Sequence, residues 1–431
     1  MNDKMSDISN IKTISIIGAG LLGHGIAICA LMAGFEKVIL NDINMGILNE
    51  ANEKIQDYLT ILSSEEQFKQ ILDDFTILKT EFGNKDISKT LKNPIHTGVL
   101  AEGITVEELM SRLVREIDLA KAVSNSDFII EAASEAMEIK QDIFKKLVKF
   151  APANAVLATN SSSLSITKIA ENSGSPERII GMHFFSPHMR SLIEITRGEK
   201  SSSESIEIGA LIGQKLPCLT GKRVIIKLEK ESPGFIANRI TSASGIYVSW
   251  IIDKAAGDGI PWACLDADVG IASFGFCQLI DYIGLDVVYG VQKYLEEALS
   301  PDFAPSKILT KLVESGNLGR KTGKGFYEWN EDGTIKSEDN QDPDPAGLIN
   351  LEALQAIQFN EGCRILEEGV VKRFRIIDKA MMKGYNSFGP FTARKKYEEM
   401  CKVLEDLAKE TGIKYFKPCE LMKSGEFLTY R

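Results

Sequence analysis

Histidine is scarce in this sequence, four residues in 431, and tryptophan is scarcer, with three. The seven cysteines (positions 29, 218, 264, 277, 363, 401 and 419) stand singly, without a CxxC pair or a histidine at ligand spacing. That pattern argues against a zinc site or a disulfide scaffold and fits a reduced, cytoplasmic chain. A block of basic residues is also missing: 50 lysines and arginines face 60 aspartates and glutamates, a net charge of −10. Phosphate-backbone binding needs a concentrated basic face, so nucleic acid is not expected as a partner. An anionic small molecule held by a few local lysines stays open. One apolar run, Ile14 to Phe35, is almost free of charge, and five glycines (18, 20, 23, 25 and 34) interrupt it. A strand, a glycine turn and a buried helix explain this run better than a membrane span, so no membrane association is expected.

What is present is a globular composition, 44% hydrophobic and 26% charged, in a chain long enough for several domains. "IKTISIIGAG" reads as a buried strand, residues 21–33 as an apolar helix and Lys37–Asp42 as a second strand. Helical stretches over 43–60 and 64–79 precede an aperiodic insertion, 81–104, and Thr105-x-x-Glu108 opens the next helix as a capping box. Strands at 127–133, 155–160 and 178–185 then alternate with helices at 138–150 and 165–173, and "SLIEITR", a helix over 203–216 and "RVIIKLE" follow. Continuous apolar strands alternating with helices predict a doubly wound, mostly parallel sheet over residues 1–230. From Ser232 the pattern is helical throughout, broken by an Asp/Pro/Gly-rich linker at 330–348. Ser273-Phe274-Gly275-Phe276 returns as Ser387-Phe388-Gly389-Pro390-Phe391, each after an apolar-Asp pair (Leu265-Asp266, Ile377-Asp378). The helical region therefore reads as a duplicated domain, 231–330 and 346–431.

Gly18-Ala19-Gly20-Leu21-Leu22-Gly23 is a GxGxxG turn between a strand and a helix. Gly18 would make the turn, Gly20 would admit a pyrophosphate and Gly23 would let helix and strand pack, so the fold is expected to be Rossmann-type. Asp42 ends the next strand 19 residues after Gly23, where a carboxylate can hold both ribose hydroxyls, and no arginine adjoins it. NAD is therefore expected over NADP. His24, inside the turn, is expected to serve packing. Removing a hydride from an alcohol also requires a base for its proton. His183, in "GMHFFSP", ends a later strand at the ligand-binding edge, and Glu194 follows eleven residues on. A turn at Ser186–Pro187 would bring the two side by side, and Ser162 follows another strand at that edge. On position alone His183 could equally be a satisfied core histidine.

These residues resemble the L-3-hydroxyacyl-CoA dehydrogenases of fatty-acid β-oxidation, 3-hydroxybutyryl-CoA dehydrogenase among them. "IIGAGLLGHGIA", "EAASEAMEIK", "NSSSLSIT", "GMHFFSP", "LIEI", "SPGFIANR", "LIDYIGLD" and "GRKTGKGFYEW" are similar to the family's motifs and occur in its order. The resemblance implies that Ser162 contacts substrate, that His183 is the base and Glu194 its partner, and that Asn238 holds and polarises the substrate. It also implies that Glu135 and Lys140 lie near the cofactor and that Lys321 reaches it from the helical region. The expected activity is NAD-dependent oxidation of L-3-hydroxyacyl-CoA to 3-ketoacyl-CoA, and the reverse, with an acyl-CoA thioester as the substrate. The alternatives are an NAD-dependent dehydrogenase of a free hydroxy acid or a non-catalytic nucleotide-binding relative. The resemblance further implies either a homodimer or a monomer whose second helical copy replaces a partner's domain.

Three departures stand out. The stretch after the second strand, "EKIQDYLTILSSEEQF", is largely acidic where the family places lysines for coenzyme A, which leaves Lys85, Lys89 and Lys92 of the insertion as candidates. The first helical copy reads "FGFC" where the family has "GPF". The loop "SPHMRSL" carries His188 and Arg190 in place of short apolar residues. If this loop borders the acyl chain, Arg190 could receive a distal carboxylate; otherwise it meets water or a coenzyme A phosphate.

Overall fold

The computed structural model describes residues 8–64, 103–269, 275–336 and 343–431. Eight strands form one sheet: β1 (Thr13–Ile17), β2 (Lys37–Asn41), β3 (Leu113–Glu116), β4 (Phe128–Glu131), β5 (Val156–Thr159), β6 (Ile179–Phe184), β7 (Leu192–Arg197) and β8 (Val224–Lys227). Their spatial order is β3-β2-β1-β4-β5-β6-β7-β8. Every pairing is parallel except β6 with β7. With them fold helices α1 (Leu21–Met32), α2 (Met45–Ser63), α3 (Val106–Ser111), α4 (Leu119–Val123), α5 (Met137–Phe150), α6 (Ile166–Ala170) and α7 (Ser203–Lys215).

The period of two explains why these strands read as unbroken apolar runs. Ile14, Ile16, Val38, Leu40, Phe128 and Ile130 face a core shared with α1, α2 and α7. Their neighbours Ile17, Ile39 and Ile129 face a second core with α4, α5 and α6. Both faces of the sheet are covered, so neither can carry the polar half of an alternating strand. The mostly parallel Rossmann sheet expected from the sequence is present, and the Ile14–Phe35 run is β1, the glycine turn and α1. No described helix is long and apolar enough to cross a membrane. The capping box at Thr105 forms, with its Oγ1 accepting from Glu108 N and its N–H donating to Glu108. That helix stops after six residues and gives way to β3, which was not expected. "LVRE" is half-buried and carries an arginine and a glutamate at the sheet edge, so it has no apolar run to announce it. The expected helix at 64–79, most of the 81–104 insertion, and Lys85, Lys89 and Lys92 lie outside the described residues.

Beyond the sheet come α8 (Ala237–Asp258), α9 (Trp262–Ala267), α10 (Phe276–Ile283), α11 (Leu285–Ala298) and α12 (Lys307–Glu314). They are followed by α13 (Leu351–Glu367), α14 (Phe374–Gly384), α15 (Tyr397–Thr411) and α16 (Glu420–Ser424). The second core of the sheet continues into these helices without a break. The sequence echo recurs as geometry. Asp266 accepts from Cys277 N at 2.8 Å, and a Cβ on Gly275 would fall 2.0 Å from the Asp266 Cβ. Asp378 accepts from Phe391 N at 2.9 Å, and a Cβ on Gly389 would fall 2.2 Å from its Oδ1. In both places an aspartate caps the next turn and only glycine leaves it room. The far end of the linker is tied down, because Asp268 accepts from Gly347, Leu348 and Ile349 N.

Helices α8 and α13 pack against each other around a buried ion cluster. Arg239, 1% exposed, donates through Nε to Glu361 at 2.6 Å and through both Nη atoms to Glu368 at 2.6 Å. Tyr415 and Arg364 supply Glu361 with two more donors. A buried charge is tolerated when each lone pair finds a donor, and removing one partner leaves the other stranded. Arg239→Met should therefore lower unfolding free energy by about 3–5 kcal/mol in chemical denaturation, and Glu361→Gln/Arg239→Met should recover part of that loss.

The loop from β6 to β7 is clamped by Arg223, whose guanidinium donates to the carbonyls of Pro187, Arg190, Leu216 and Pro217. So held, His188 turns toward α1 and α2, edge-on to Tyr58 at 4.4 Å, and its Nδ1 lies 2.9 Å from where a Cβ on Gly25 would sit. His188 is thus part of the core between loop and helices. Burial pushes its imidazole down to about 4. Between pH 6.5 and 4 the unfolded chain then binds a proton that the folded chain refuses, so stability falls as pH falls, by up to about 3 kcal/mol. Urea midpoints across that range should show the decline, and His188→Phe should flatten it.

Candidate active site

The glycine turn joins β1 to α1. Gly18 takes φ 100°, and a Cβ there would lie 2.6 Å from Ala132 O; a Cβ on Gly23 would lie 1.8 Å from Gly18 O. A side chain at either position would push helix and strands apart. A Cβ on Gly20 meets nothing within 4 Å, so its backbone opens onto a cleft of about 740 Å³. No side chain caps α1 at its start, which leaves its first N–H groups for an anion. Leu21 is 78% exposed above the turn and Leu22 is half-buried beneath it. Asp42 lines the cleft, its Oδ2 accepting from Ala19 N at 2.9 Å. Ile43, Ile47, Ile117 and Ile139 form apolar walls there, Ile43 being 95% exposed. Apolar plates, a carboxylate and an uncapped helix start fit an adenine, a ribose and a pyrophosphate respectively. His24 Nδ1 donates to the Gly20 carbonyl at 2.9 Å, so its ring is tied to the backbone of its own helix.

Beneath the cleft lies a buried polar network. Glu131, at the end of β4, takes Lys140 Nζ at 2.8 and 3.0 Å, Thr159 Oγ1 at 2.6 Å and Ala133 N at 2.8 Å. Lys140, 1% exposed, is also 3.3 Å from Glu135. It is a buried counterion to two carboxylates and supports the cleft from below. Glu135 Oε1 in turn accepts from Ser161 Oγ at 2.7 Å, Ser162 N at 2.8 Å and Ser162 Oγ at 3.3 Å. Burial alone would raise the Glu135 carboxyl; the Lys140 ammonium and the serine donors hold it below the usual carboxylate range.

His183 and Glu194 are register partners on the antiparallel pair β6–β7, so both side chains leave the sheet on one face. His183 Nδ1 and Glu194 Oε2 are 2.9 Å apart, with His183 3% and Glu194 0% exposed. The ring lies between Phe185 at 4.6 Å and Phe235 at 5.5 Å. With Nδ1 donating to the carboxylate, Nε2 is the nitrogen left to take a proton. Glu194 Oε1 accepts from Ile236 N and Ala237 N, each at 3.2 Å, at the start of α8. Those N–H groups are aimed by two successive left-handed residues, Gly234 at φ 72° and Phe235 at φ 54°. One residue into the helix, Asn238 Nδ2 donates to Ser162 O at 3.3 Å, and its Oδ1 accepts from the Tyr385 hydroxyl. Ser162, His183, Glu194 and Asn238 are thereby gathered at one edge of the sheet.

Lys321 stands apart from this group. Its Nζ pairs with Asp286 at 2.5 and 2.6 Å and it is not among the residues lining the nucleotide cleft. The sequence reading missed the isoleucine walls, because exposed isoleucines carry no motif. It also missed Phe235, whose left-handed backbone only the flanking "SPG" hints at, and Tyr385, 147 positions from its partner.

Family models match both the sheet and the first part of the helical region. "3-hydroxyacyl-CoA dehydrogenase, NAD binding domain" matches residues 13–80 and 72–225, and "3-hydroxyacyl-CoA dehydrogenase, C-terminal domain" matches 234–329. A probable 3-hydroxybutyryl-CoA dehydrogenase of Deinococcus radiodurans is 30% identical over 321 residues, which cover 73% of this chain and 99% of that protein. The peroxisomal fatty acid beta-oxidation multifunctional protein of Oryza sativa is 28% identical over 405 residues, 87% of this chain, and the chain spans 48% of its length. The crystal structure of a 3-hydroxybutyryl-CoA dehydrogenase from Escherichia coli K12 shares the fold with a TM-score of 0.72 at 24% identity, over 97% of this chain and 99% of that one. With an NAD-binding domain followed by the family's C-terminal domain, the chain belongs to the 3-hydroxyacyl-CoA dehydrogenases, a family of NAD-dependent oxidoreductases.

Proposed function

We propose that the chain interconverts L-3-hydroxyacyl-CoA and 3-ketoacyl-CoA, with His183 as the base and Glu194 as its orienting partner. The observation that carries this is the buried pair itself: His183 Nδ1 is 2.9 Å from a carboxylate with no solvent exposure. The glycine turn and Asp42 would hold NAD, which would supply the hydride acceptor or donor for C3. The protein's own part is proton transfer and positioning. His183 Nε2 takes the hydroxyl proton, and the Glu194 charge stabilises the imidazolium that results. Ser162 and Asn238, joined through the Ser162 carbonyl, would hold the oxygen-bearing end of the substrate. Glu135 and Lys140 would keep the floor of the site charged and rigid. Lys321 would take part only after leaving Asp286.

The same proposal divides the chain into a nucleotide-binding domain (1–230), a first helical domain (231–330) and a second (346–431). The second would stand in for a dimer partner's domain. A cytoplasmic setting belongs to it as well, supported by seven unpaired cysteines, four of them buried. The inert nucleotide-binding alternative is disfavoured by the His183–Glu194 pair, since a core histidine needs no buried carboxylate to be satisfied.

Turnover of acetoacetyl-CoA and its homologues, compared with the free acids, tests the substrate class. His183→Gln should lower kcat by about 10²–10⁴-fold while NADH affinity, measured by fluorescence titration, stays near wild type. A folded variant with most of its activity would return His183 to the core. Asp42 should exclude a 2′-phosphate, because like charges in contact cost several kcal/mol. We expect kcat/KM for NADH to exceed that for NADPH by at least about a hundredfold, and Asp42→Ser to narrow the gap. Equal use of both cofactors by the wild type would contradict the role given to Asp42.

A further inference from the structure

The second helical copy reaches the site. Helix α14 ends at Gly384, which is seated on the β6–β7 edge: a Cβ there would lie 3.0 Å from both Phe185 Cζ and Leu192 Cδ2. The next residue, Tyr385, sets its ring edge-on to Phe185 at 5.3 Å and 82°, and Phe185 in turn lies 4.6 Å from the His183 ring. Asn386 follows at φ 52°, a left-handed turn that asparagine tolerates and that leads the chain away again. The Tyr385 hydroxyl donates to Asn238 Oδ1, while Asn238 Nδ2 donates to Ser162 O at 3.3 Å.

An asparagine amide has two ends of similar shape and opposite hydrogen-bonding character. The Ser162 carbonyl can only accept, so the NH₂ faces it and Oδ1 points the other way, where the Tyr385 hydroxyl donates to it. Without the phenol that oxygen loses its donor and the amide is held at one end only. We propose that Tyr385 is a positioning residue of the active site: it locks the Asn238 amide in the orientation that presents Nδ2 on the Ser162 side, and the second helical copy thereby completes the site of the first. The inference rests on the acyl-CoA reading above.

The test uses the full chain. Tyr385→Phe removes the hydroxyl and keeps the ring on Phe185. It should lower kcat/KM for acetoacetyl-CoA by about tenfold, the scale of one lost hydrogen bond, while the KM for NADH and the Tm stay unchanged. The decisive readout is a double-mutant cycle with Asn238→Ala, scored on the Kd for acetoacetyl-CoA by calorimetry, which needs no turnover. In the Asn238→Ala background Tyr385→Phe should cost nothing more, because there is no amide left to orient. An equal loss in both backgrounds, or no loss from Tyr385→Phe in the wild type, overturns the inference. Wild type is assayed first: a chain that neither binds nor reduces acetoacetyl-CoA overturns the functional reading and this inference with it. Wild-type turnover that Tyr385→Phe leaves intact overturns this inference alone.

Discussion

A carboxylate with no solvent exposure must find donors for its charge inside the protein, and Glu194 finds three. One is the imidazole of His183, and the other two are the N–H groups of Ile236 and Ala237. The first belongs to the sheet and the others open the long helix of the helical region. A single side chain therefore orients the His183 ring and fixes where α8 begins, and through α8 it sets Asn238. The requirement that a buried anion be satisfied is what couples the sheet to the helical region at this point.

The coupling carries a backbone cost. Phe235 is held at φ 54°, a region that bulky residues rarely enter. Its preceding neighbour is glycine because a Cβ at Gly234 would lie 2.9 Å from Arg239 N. The strained turn brings two amides to one carboxylate oxygen, and it sets the Phe235 ring against His183. Four residues on, Arg239 is locked by Glu361 and Glu368. The first two turns of α8 thus join the active-site carboxylate on one side to the second helical copy on the other, which is why that turn cannot relax.

Much of this was legible in the sequence where local chemistry declares itself. Three glycines at fixed spacing, Asp42 at the end of the next strand, and a histidine and glutamate eleven positions apart across a Ser-Pro turn each constrain geometry within one supersecondary unit. The register that pairs His183 with Glu194 is set by the longer connection from Phe185 to Ser191, not by a tight turn at Ser186–Pro187. The unread parts depend on packing between distant segments. Lys140 looked like a residue near the cofactor, but two carboxylates that only the folded sheet brings together consume its charge. The burial of His188 depends on Arg223, 35 positions on, which draws the loop's carbonyls around itself. Tyr385 sits at the end of an ordinary amphipathic helix, and no period or motif marks the contact it makes.

The seat of α14 on the sheet edge lies within one chain. In a two-fold assembly every substitution appears twice, and an inserted domain must satisfy both the site it serves and its own symmetric twin. A tandem arrangement removes that double constraint. The first copy reads "FGFC" where the second keeps Gly389-Pro390-Phe391, yet each retains the aspartate–glycine contact that caps its turn. Because both helical stretches belong to one chain, dilution cannot part them.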